Sequence, residues 1–141
     1  MVKHWSSTQK VLTLSSGEAE LAGIVKGTAE ALGLRSLAAD LGMELKIQMY
    51  ADSSAAIGIC RRAGIGRVRH LATGQLWVQE RVRTGDVELR KVPGTANPAD
   101  VLTKHLARDV CDGHLARVGL RRCAGRASAA PRIGGLQQET R

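Results

Sequence analysis

The chain has 141 residues, 43% hydrophobic and 24% charged, which is typical of one soluble globular domain with a buried core. Aromatic residues make up only 2% of the chain and Phe is absent, so the core must be aliphatic. The net charge of +8 and the sequence pI of about 10.1 indicate a polyanionic partner, nucleic acid in preference to an anionic membrane surface.

The cysteines and the hydropathy pattern exclude several classes of protein. Cys60, Cys111 and Cys123 form no CxxC pair and leave one thiol over, which argues against a disulfide framework and favours a reducing compartment. The N-terminal residues lack the apolar core of a signal peptide, and no apolar run approaches the length of a membrane span. We therefore expect an intracellular, soluble protein with no membrane partner.

The positive charge is concentrated after residue 60. Residues 1–60 contain 5 Lys and Arg against 6 Asp and Glu, whereas residues 61–91 and residues 101–141 each contain 8 against 3. A basic surface beside carboxylates is typical of enzymes in which carboxylate-bound metal ions meet a phosphate backbone. The alternative is a compositional bias towards Arg as a solubilising residue, which explains residues 101–141 better than residues 61–91.

The first predicted elements are a short strand at residues 10–14 and a helix that follows it. Ser15 and Glu18 have capping-box spacing, so the helix should begin there and end before Gly33, with a second short helix at residues 34–41. The capping box gives Glu18 a structural role and leaves Glu20 without one. Most such helix glutamates are simply solvated, and periodicity does not decide which of the two faces a site.

Residues 45–58 predict a buried strand that turns directly into a helix. Apolar and polar residues alternate up to Asp52, and Ser53 and Ser54 follow as candidate N-caps. Asp52 therefore lies at the carboxyl end of a strand, in the crevice where open α/β sheets bind ligands. The alternative is that Asp52 is only a turn or cap residue.

A basic, glycine-containing loop follows at residues 61–69, without the spacing of a phosphate-binding GxGxxG or Walker motif. Residues 70–83 predict a helix ended by Gly85, in which Trp77 is a core residue in preference to a platform for base stacking. Residues 87–92 alternate again and predict a second strand.

A final helix is predicted at residues 99–106, with Asn97 as N-cap and Pro98 as its first residue. Asp100 falls in the first turn, where the helix dipole favours negative charge, so a purely structural role also explains it. We expect one domain over residues 1–106 and a basic tail over residues 107–141.

The tail is expected to contain a helix at residues 110–120, followed by a disordered segment rich in Gly, Ala and Arg. His105, Cys111, His114 and Cys123 are conceivable zinc ligands, but their spacing matches no usual zinc site.

Four blocks of sequence resemble the ribonuclease H domain of copia-type retrotransposon (Pol) polyproteins. In chain order they are WSSTQKVLTLSSGEAEL from Trp5, YADSSAA from Tyr50, RHL with LWVQE from Arg69, and ADVLTK from Ala99. The blocks stand in the family's order and cover residues 3–106. The resemblance implies an α/β fold with a ribonuclease H-like mixed sheet flanked by helices, and it implies metal-dependent hydrolysis of the RNA strand of RNA–DNA hybrids.

Position by position, the resemblance implies that Glu20, Asp52 and Asp100 are catalytic residues and metal ligands. Mg²⁺ (or Mn²⁺) is the implied cofactor, because a two-ion mechanism needs clustered carboxylates.

A hybrid is recognised through its backbone and 2′-hydroxyls, so basic side chains would bind it without reading bases. The candidate nucleic-acid-binding residues are Arg61, Arg62, Arg67 and Arg69. The implied partners are the hybrid and the reverse transcriptase portion of the same polyprotein, and the implied location is the cytoplasm or nucleus, with retrotransposon particles.

One departure from the family qualifies this expectation. The family begins with a strand hairpin that carries a further catalytic Asp, whereas no acidic residue precedes Glu18 here. We therefore expect an N-terminally truncated domain that lacks the first hairpin.

Two functions remain open. One is a ribonuclease H completed by upstream sequence or a partner, and the other is a catalytically inactive remnant that binds nucleic acid. An unrelated small α/β binding protein is a third alternative.

Overall fold

The computed structural model describes residue 5 and residues 13–66 and 73–125. In chain order the elements are α1 (Ser16–Asp40), β1 (Ile47–Ala51), α2 (Ser54–Arg61), α3 (Thr73–Arg83), β2 (Val87–Lys91), two 3₁₀ helices (Gly94–Ala96 and Pro98–Leu102) and α4 (Arg108–Arg117). None of the described helices is both long enough and apolar enough to cross a membrane.

The two strands lie in one sheet, as the alternation of strand and helix signals predicted, and they pair in parallel. Ile47 lies opposite Val87, and the register continues to Ala51 opposite Lys91. Parallel neighbours need a crossover connection, which α2 and α3 supply here. The prediction of an α/β arrangement with both strands in one sheet is therefore confirmed. The described strands include no antiparallel partner of the kind a mixed sheet requires, and the strand predicted at residues 10–14 lies mostly outside the described residues.

The core is aliphatic and lies between one face of this sheet and the helices. Its buried members come from α1, α2, α3 and both strands: Leu21, Ile24, Ala51, Ala56, Ile57, Ile59, Cys60, Val78 and Leu89. Burial raises the pKa of the Cys60 thiol to about 11, so this thiol is a neutral core group near pH 7. Trp77 is half-buried on α3, while Val78 beside it is fully buried.

The first helix is longer than the sequence predicted. Residues 16–40 form one continuous helix, so the predicted stop at Gly33 is wrong. Gly33 is exposed with open space around its Cα, and a helical glycine costs only about 1 kcal/mol relative to Ala, which flanking turns offset. The helix ends instead at Gly42, whose φ of +76° allows Met43 N to bond Ala38 O over 2.9 Å.

The last predicted helix is also different in type and length. Asn97 caps it as predicted, since its Oδ1 accepts from Ala99 N over 3.2 Å, and Pro98 is its first residue. However, Pro98–Leu102 is a 3₁₀ helix that does not reach residue 106. Residues 103–105 are all exposed, so burial against the core does not stabilise a further helical turn there.

The other helix boundaries agree with prediction more closely. The helix predicted at residues 70–83 is described as Thr73–Arg83, with residues 70–72 outside the described part. The helix predicted at residues 110–120 is Arg108–Arg117, which packs against the Pro98–Leu102 3₁₀ helix. The domain boundary after residue 106 stays a prediction, and most of the segment predicted to be disordered, residues 126–141, lies outside the described residues.

Candidate carboxylate site

The candidate site forms where both parallel strands end at the same edge of the sheet. Asp52 follows β1 directly, and Val92 N extends the pairing past β2 by donating to Ala51 O over 3.0 Å. The chain after β2 then turns through two short 3₁₀ helices, the second of which carries Asp100. Because neighbouring parallel strands end together, two acids 48 positions apart in the sequence meet at one edge.

Asp52 is half-buried and held by a side-chain hydrogen bond. Asn97 Nδ2 donates to Asp52 Oδ2 over 3.3 Å, while the other end of the same amide caps the Pro98–Leu102 helix. Gly94 lies close to this carboxylate, since a Cβ added at Gly94 would be 3.9 Å from Asp52 Oδ2. Asn97 therefore orients Asp52 and joins the loops that follow the two strands.

Asp100 is nearly buried and is paired with Lys104 one helical turn later. The residue is 9% exposed, and Lys104 Nζ lies 2.9 Å from Asp100 Oδ2. This hydrogen bond raises the pKa of Lys104, and the negative charges of Asp100, Asp52 and Glu20 raise it further. Lys104 is therefore a cation placed among all three predicted acids.

Glu20 lies on α1, and its exposed carboxylate is part of the same electrostatic cluster. Partial burial raises its pKa, and the charge of Asp52, followed by that of Asp100, raises it further, while Lys104 opposes the rise. The fold thus brings Glu20, Asp52 and Asp100 close enough for their charges to interact. We call this group, with Lys104, the acidic cluster.

Glu18 performs the structural role that its spacing predicted. Ser15 Oγ accepts from Glu18 N over 3.3 Å, and Glu18 Oε2 accepts from Leu14 N over 2.8 Å, so the start of α1 is capped from both directions. Glu18 is buried at 4% exposure. Next to it, Gly17 allows α1 to approach α2 closely, because a Cβ there would lie 3.0 Å from Ala55 Cβ. Of Glu18 and Glu20, the two glutamates near the start of α1, Glu20 is the one without a capping role.

The acidic cluster offers the oxygen ligands that Mg²⁺ prefers, but its arrangement does not match a metal site. Within residues 13–66 and 73–125, no three His, Cys, Asp or Glu side chains are placed to hold one ion. Lys104 also occupies one oxygen of Asp100. The same finding covers the conceivable zinc ligands, and of these His114 is buried with its Nδ1 3.2 Å from Arg117 Nη1.

The two predicted nucleic-acid-binding arginines that the structure describes bond to backbone carbonyls. Arg61 Nη2 donates to Leu89 O over 2.7 Å, which ties the end of α2 to β2. Arg62 Nη2 donates to Ile65 O over 2.6 Å, while its buried Nε has no hydrogen-bond partner among the described residues. Both guanidinium groups thus contribute to local structure. Arg67 and Arg69 lie outside the described residues.

Sequence reasoning missed two members of this site. The sequence predicts Asn97 only as a helix cap, and its contact with Asp52 depends on the pairing of the strands. Lys104 had a usable sequence signal, because it follows Asp100 at i,i+4, the spacing of ion pairs on a helix.

Comparison with known proteins finds three plant relatives. The chain is 30% identical over 106 residues to the retrovirus-related Pol polyprotein from transposon TNT 1-94 of Nicotiana tabacum, an alignment that covers 74% of this chain. It is 29% identical over 122 residues (84% of this chain) to that from transposon RE1 and 28% over 120 residues (82%) to that from RE2, both of Arabidopsis thaliana. The chain spans only 8% of the length of each polyprotein.

No protein-family model matches the chain, and no solved structure matches it. The three alignments agree on the kind of protein and on the small share of it that this chain spans. They support the derivation of this chain from a region of a retrotransposon Pol polyprotein.

Proposed function

We propose that this chain is a ribonuclease H-type region of a copia-type Pol polyprotein that binds RNA–DNA hybrids, and whose acidic cluster belongs to the site that hydrolyses the RNA strand. The observation that carries the proposal is the hydrogen bond from Asn97 Nδ2 to Asp52 Oδ2 over 3.3 Å, which joins the end of β1 to the 3₁₀ helix that carries Asp100. The negative charges of Asp52 and Asp100 also raise the pKa of Glu20. These three acids are the residues that the sequence resemblance singles out, and they come from three separate segments of the chain.

Each side chain of the cluster has a role that its surroundings support. Asn97 holds Asp52 in one orientation, which is the preorganisation that catalysis by charge requires. Glu20 is exposed, so a ligand can approach it from solvent. The proposed cofactor is Mg²⁺ or Mn²⁺, hard cations that prefer carboxylate oxygens as ligands. Because the described arrangement does not match a metal site, we assign no step to the ion.

Hybrid binding is proposed to rest on backbone electrostatics. The net charge of +8 is concentrated after residue 60, and recognition of a hybrid through its phosphates and 2′-hydroxyls needs no base contacts. Arg61 and Arg62 bond to carbonyls of this chain, so we propose Arg67 and Arg69 as the principal phosphate contacts of the basic loop. The proposed protein partner is the reverse transcriptase portion of the same polyprotein, with both acting in intracellular retrotransposon particles.

A second candidate function is nucleic-acid binding without catalysis. Two observations favour it: Asp100 is paired with Lys104, and the described residues include no group of side chains placed to hold a metal ion. We therefore expect the chain alone to bind hybrids without appreciable cleavage, and we expect cleavage when a related polyprotein supplies the first hairpin.

The test incubates a labelled RNA–DNA hybrid with the chain alone and with the chain fused to that hairpin, each in the presence of Mg²⁺ or Mn²⁺. The fused protein should cleave, Asp52→Asn should abolish cleavage, and Asp40→Asn, at the exposed end of α1, should leave it unchanged. Clear turnover by the chain alone that Asp52→Asn removes would show that the carboxylate set is already complete. A fused protein that binds but never cleaves would support the binding-only function.

Hybrid binding is measured separately, as a function of salt. The logarithm of the association constant should fall linearly with the logarithm of salt concentration, with a slope of about −0.9 for each phosphate neutralised. Arg67→Ala with Arg69→Ala should reduce the magnitude of that slope by roughly two phosphate contacts. Arg83→Ala, on the exposed end of α3, is the matched control. Binding that is insensitive to salt would contradict the proposed electrostatic mode.

A further inference from the structure

The side chain of Gln79, on α3, bonds to three backbone groups of the connection between α2 and α3. Its Nε2 donates to Ile59 O over 2.8 Å and to Gly64 O over 3.0 Å, and its Oε1 accepts from Gly64 N over 3.0 Å. Only a neutral amide of this length can make this set of bonds, since an ionised Glu has no donor and Met has neither a donor nor a strong acceptor. Gln79 therefore fastens the start of the basic loop to both flanking helices.

Residues 62–66 are held in one conformation although they belong to no helix or strand. Gly64 and Gly66 have φ values of +76° and +60°, a region that favours glycine. The guanidinium group of Arg62 lies against Gly66, since a Cβ added there would be 2.6 Å from Arg62 Cζ. Ordering an exposed loop costs conformational entropy, and the bonds from Gln79 and Arg62 to its backbone offset that cost. This part of the loop is thus ordered before any ligand binds.

The described part of the basic loop leads directly into the arginines proposed as phosphate contacts. Arg67 follows Gly66 in the chain, and Arg69 follows two residues later. Binding has to immobilise each loop that it uses, so a loop that is already ordered binds with less loss of entropy than a flexible one. Binding residues are commonly placed on loops that a rigid scaffold positions.

We propose that Gln79 is a positioning residue for nucleic-acid binding, which holds residues 62–66 in place and thereby sets the point of the chain from which Arg67 and Arg69 reach a phosphate backbone. The inference rests on the proposed function, since it concerns the same hybrid and the same two arginines. Gln79 acts through the loop and makes no contact with the hybrid itself.

The experiment measures binding of the full chain to a labelled RNA–DNA hybrid by fluorescence anisotropy at one fixed KCl concentration. Gln79→Met removes all three bonds and should weaken binding by about fivefold, because the loop must then be ordered at the moment of binding. In a chain that already carries Arg67→Ala and Arg69→Ala, the same substitution should change the affinity by less than about twofold, since no arginine is left to position. A general loss of stability would instead weaken binding equally in both backgrounds.

A second variant and a matched control complete the set. Gly64→Ala disturbs the same loop, because its Cβ meets open space but its φ of +76° is strained for an alanine, so it should weaken binding as Gln79→Met does. Gln48→Met also removes a side-chain hydrogen bond, from Gln48 Nε2 to Glu88 Oε2 over 3.1 Å, but lies on β1 and should bind like the parent chain. Circular dichroism of each variant verifies that the chain remains folded.

Amide hydrogen exchange tests the loop without any hybrid. The Gly64 N–H should exchange faster in Gln79→Met than in the parent chain. Unchanged exchange at Gly64, equal hybrid affinity for Gln79→Met and the parent, or equal weakening in both arginine backgrounds would overturn the proposal. A parent chain that shows no salt-dependent hybrid binding would contradict the proposed function and this inference with it, whereas binding that Gln79→Met leaves unchanged contradicts this inference alone.

Discussion

Asn97 Nδ2 donates a hydrogen bond to Asp52 Oδ2 over 3.3 Å, although 45 positions separate the two residues in the sequence. The same side chain accepts from Ala99 N, so one amide joins the end of β1 to the start of the Pro98–Leu102 3₁₀ helix. The position of Asp52 relative to Asp100 therefore depends on Asn97.

Replacement of Asn97 separates its two roles. Asn97→Ala removes the cap and the bond to Asp52, so the free energy of unfolding should fall by about 1 kcal/mol or more. Asn97→Asp keeps a capping oxygen but places a second carboxylate against Asp52. This variant should be less stable than the parent near pH 7 and approach it as acidification protonates both groups. Urea unfolding at several pH values measures both effects. If the difference in free energy of unfolding between Asn97→Asp and the parent is the same at every pH, the contact between residue 97 and Asp52 is contradicted.

Glu20→Gln is expected to stabilise the chain near neutral pH. The folded-state pKa of Glu20 is raised, first by burial and then by Asp52, so its ionisation opposes folding. That cost is absent below the unfolded pKa of about 4.3 and is complete once the pH exceeds the folded value. The urea midpoint of Glu20→Gln should therefore exceed that of the parent at pH 7 and match it below about pH 4. Glu44→Gln, in the exposed loop before β1, controls for loss of a charge.

Asp86 should show the opposite dependence on pH. It accepts hydrogen bonds from Arg35 Nη2, Arg81 Nη1 and Thr84 Oγ1, each over 3.0 Å, and the bond from Arg35, followed by that from Thr84, lowers its pKa. Its stabilising contribution is thus fully present above the unfolded pKa of about 3.9 and is lost as the pH falls through the folded value.

The corresponding test is Asp86→Asn, which should be less stable than the parent at pH 7, with a difference that disappears under strongly acidic conditions. The same variant should loosen the contact between α1 and the turn before β2, since Arg35 also donates to Asp86 O over 3.2 Å. Faster amide hydrogen exchange confined to that turn would support this assignment, and a stability difference independent of pH would refute it.

The continuity of α1 through Gly33 is tested by comparing two glycines. Gly33→Ala should raise the free energy of unfolding by about 0.5–1 kcal/mol, because Gly33 is an exposed helical residue with nothing within 4 Å of an added Cβ. Gly42→Ala also meets open space, but its φ of +76° is strained for an alanine, so it should destabilise the chain. Thermal unfolding measures both, and a destabilising Gly33→Ala would indicate that the helix is interrupted at this residue.

The sequence determined the elements whose causes are local. Alternating hydropathy located both strands, and the spacing of Ser15 and Glu18 located the start of α1, because strand faces and helix caps depend on residues only a few positions apart. Residue types and their order also singled out Glu20, Asp52 and Asp100 as candidate site residues. Helix ends were less predictable, since a glycine such as Gly33 only weakens a helix that tertiary packing favours.

Only the tertiary structure decided which of these residues meet. The parallel pairing of β1 with β2 places Asp52 and Asp100 at one edge of the sheet, and the packing of α1 on α2 brings Glu20 to them. The bonds of Asn97 to Asp52 and of Arg61 to Leu89 O span 45 and 28 positions, distances at which sequence periodicity carries no information. The i,i+4 spacing already indicated the pair of Asp100 with Lys104. Coulombic interactions depend on separation in space, so the nearness of Lys104 to Asp52 and Glu20 followed only from the folded chain.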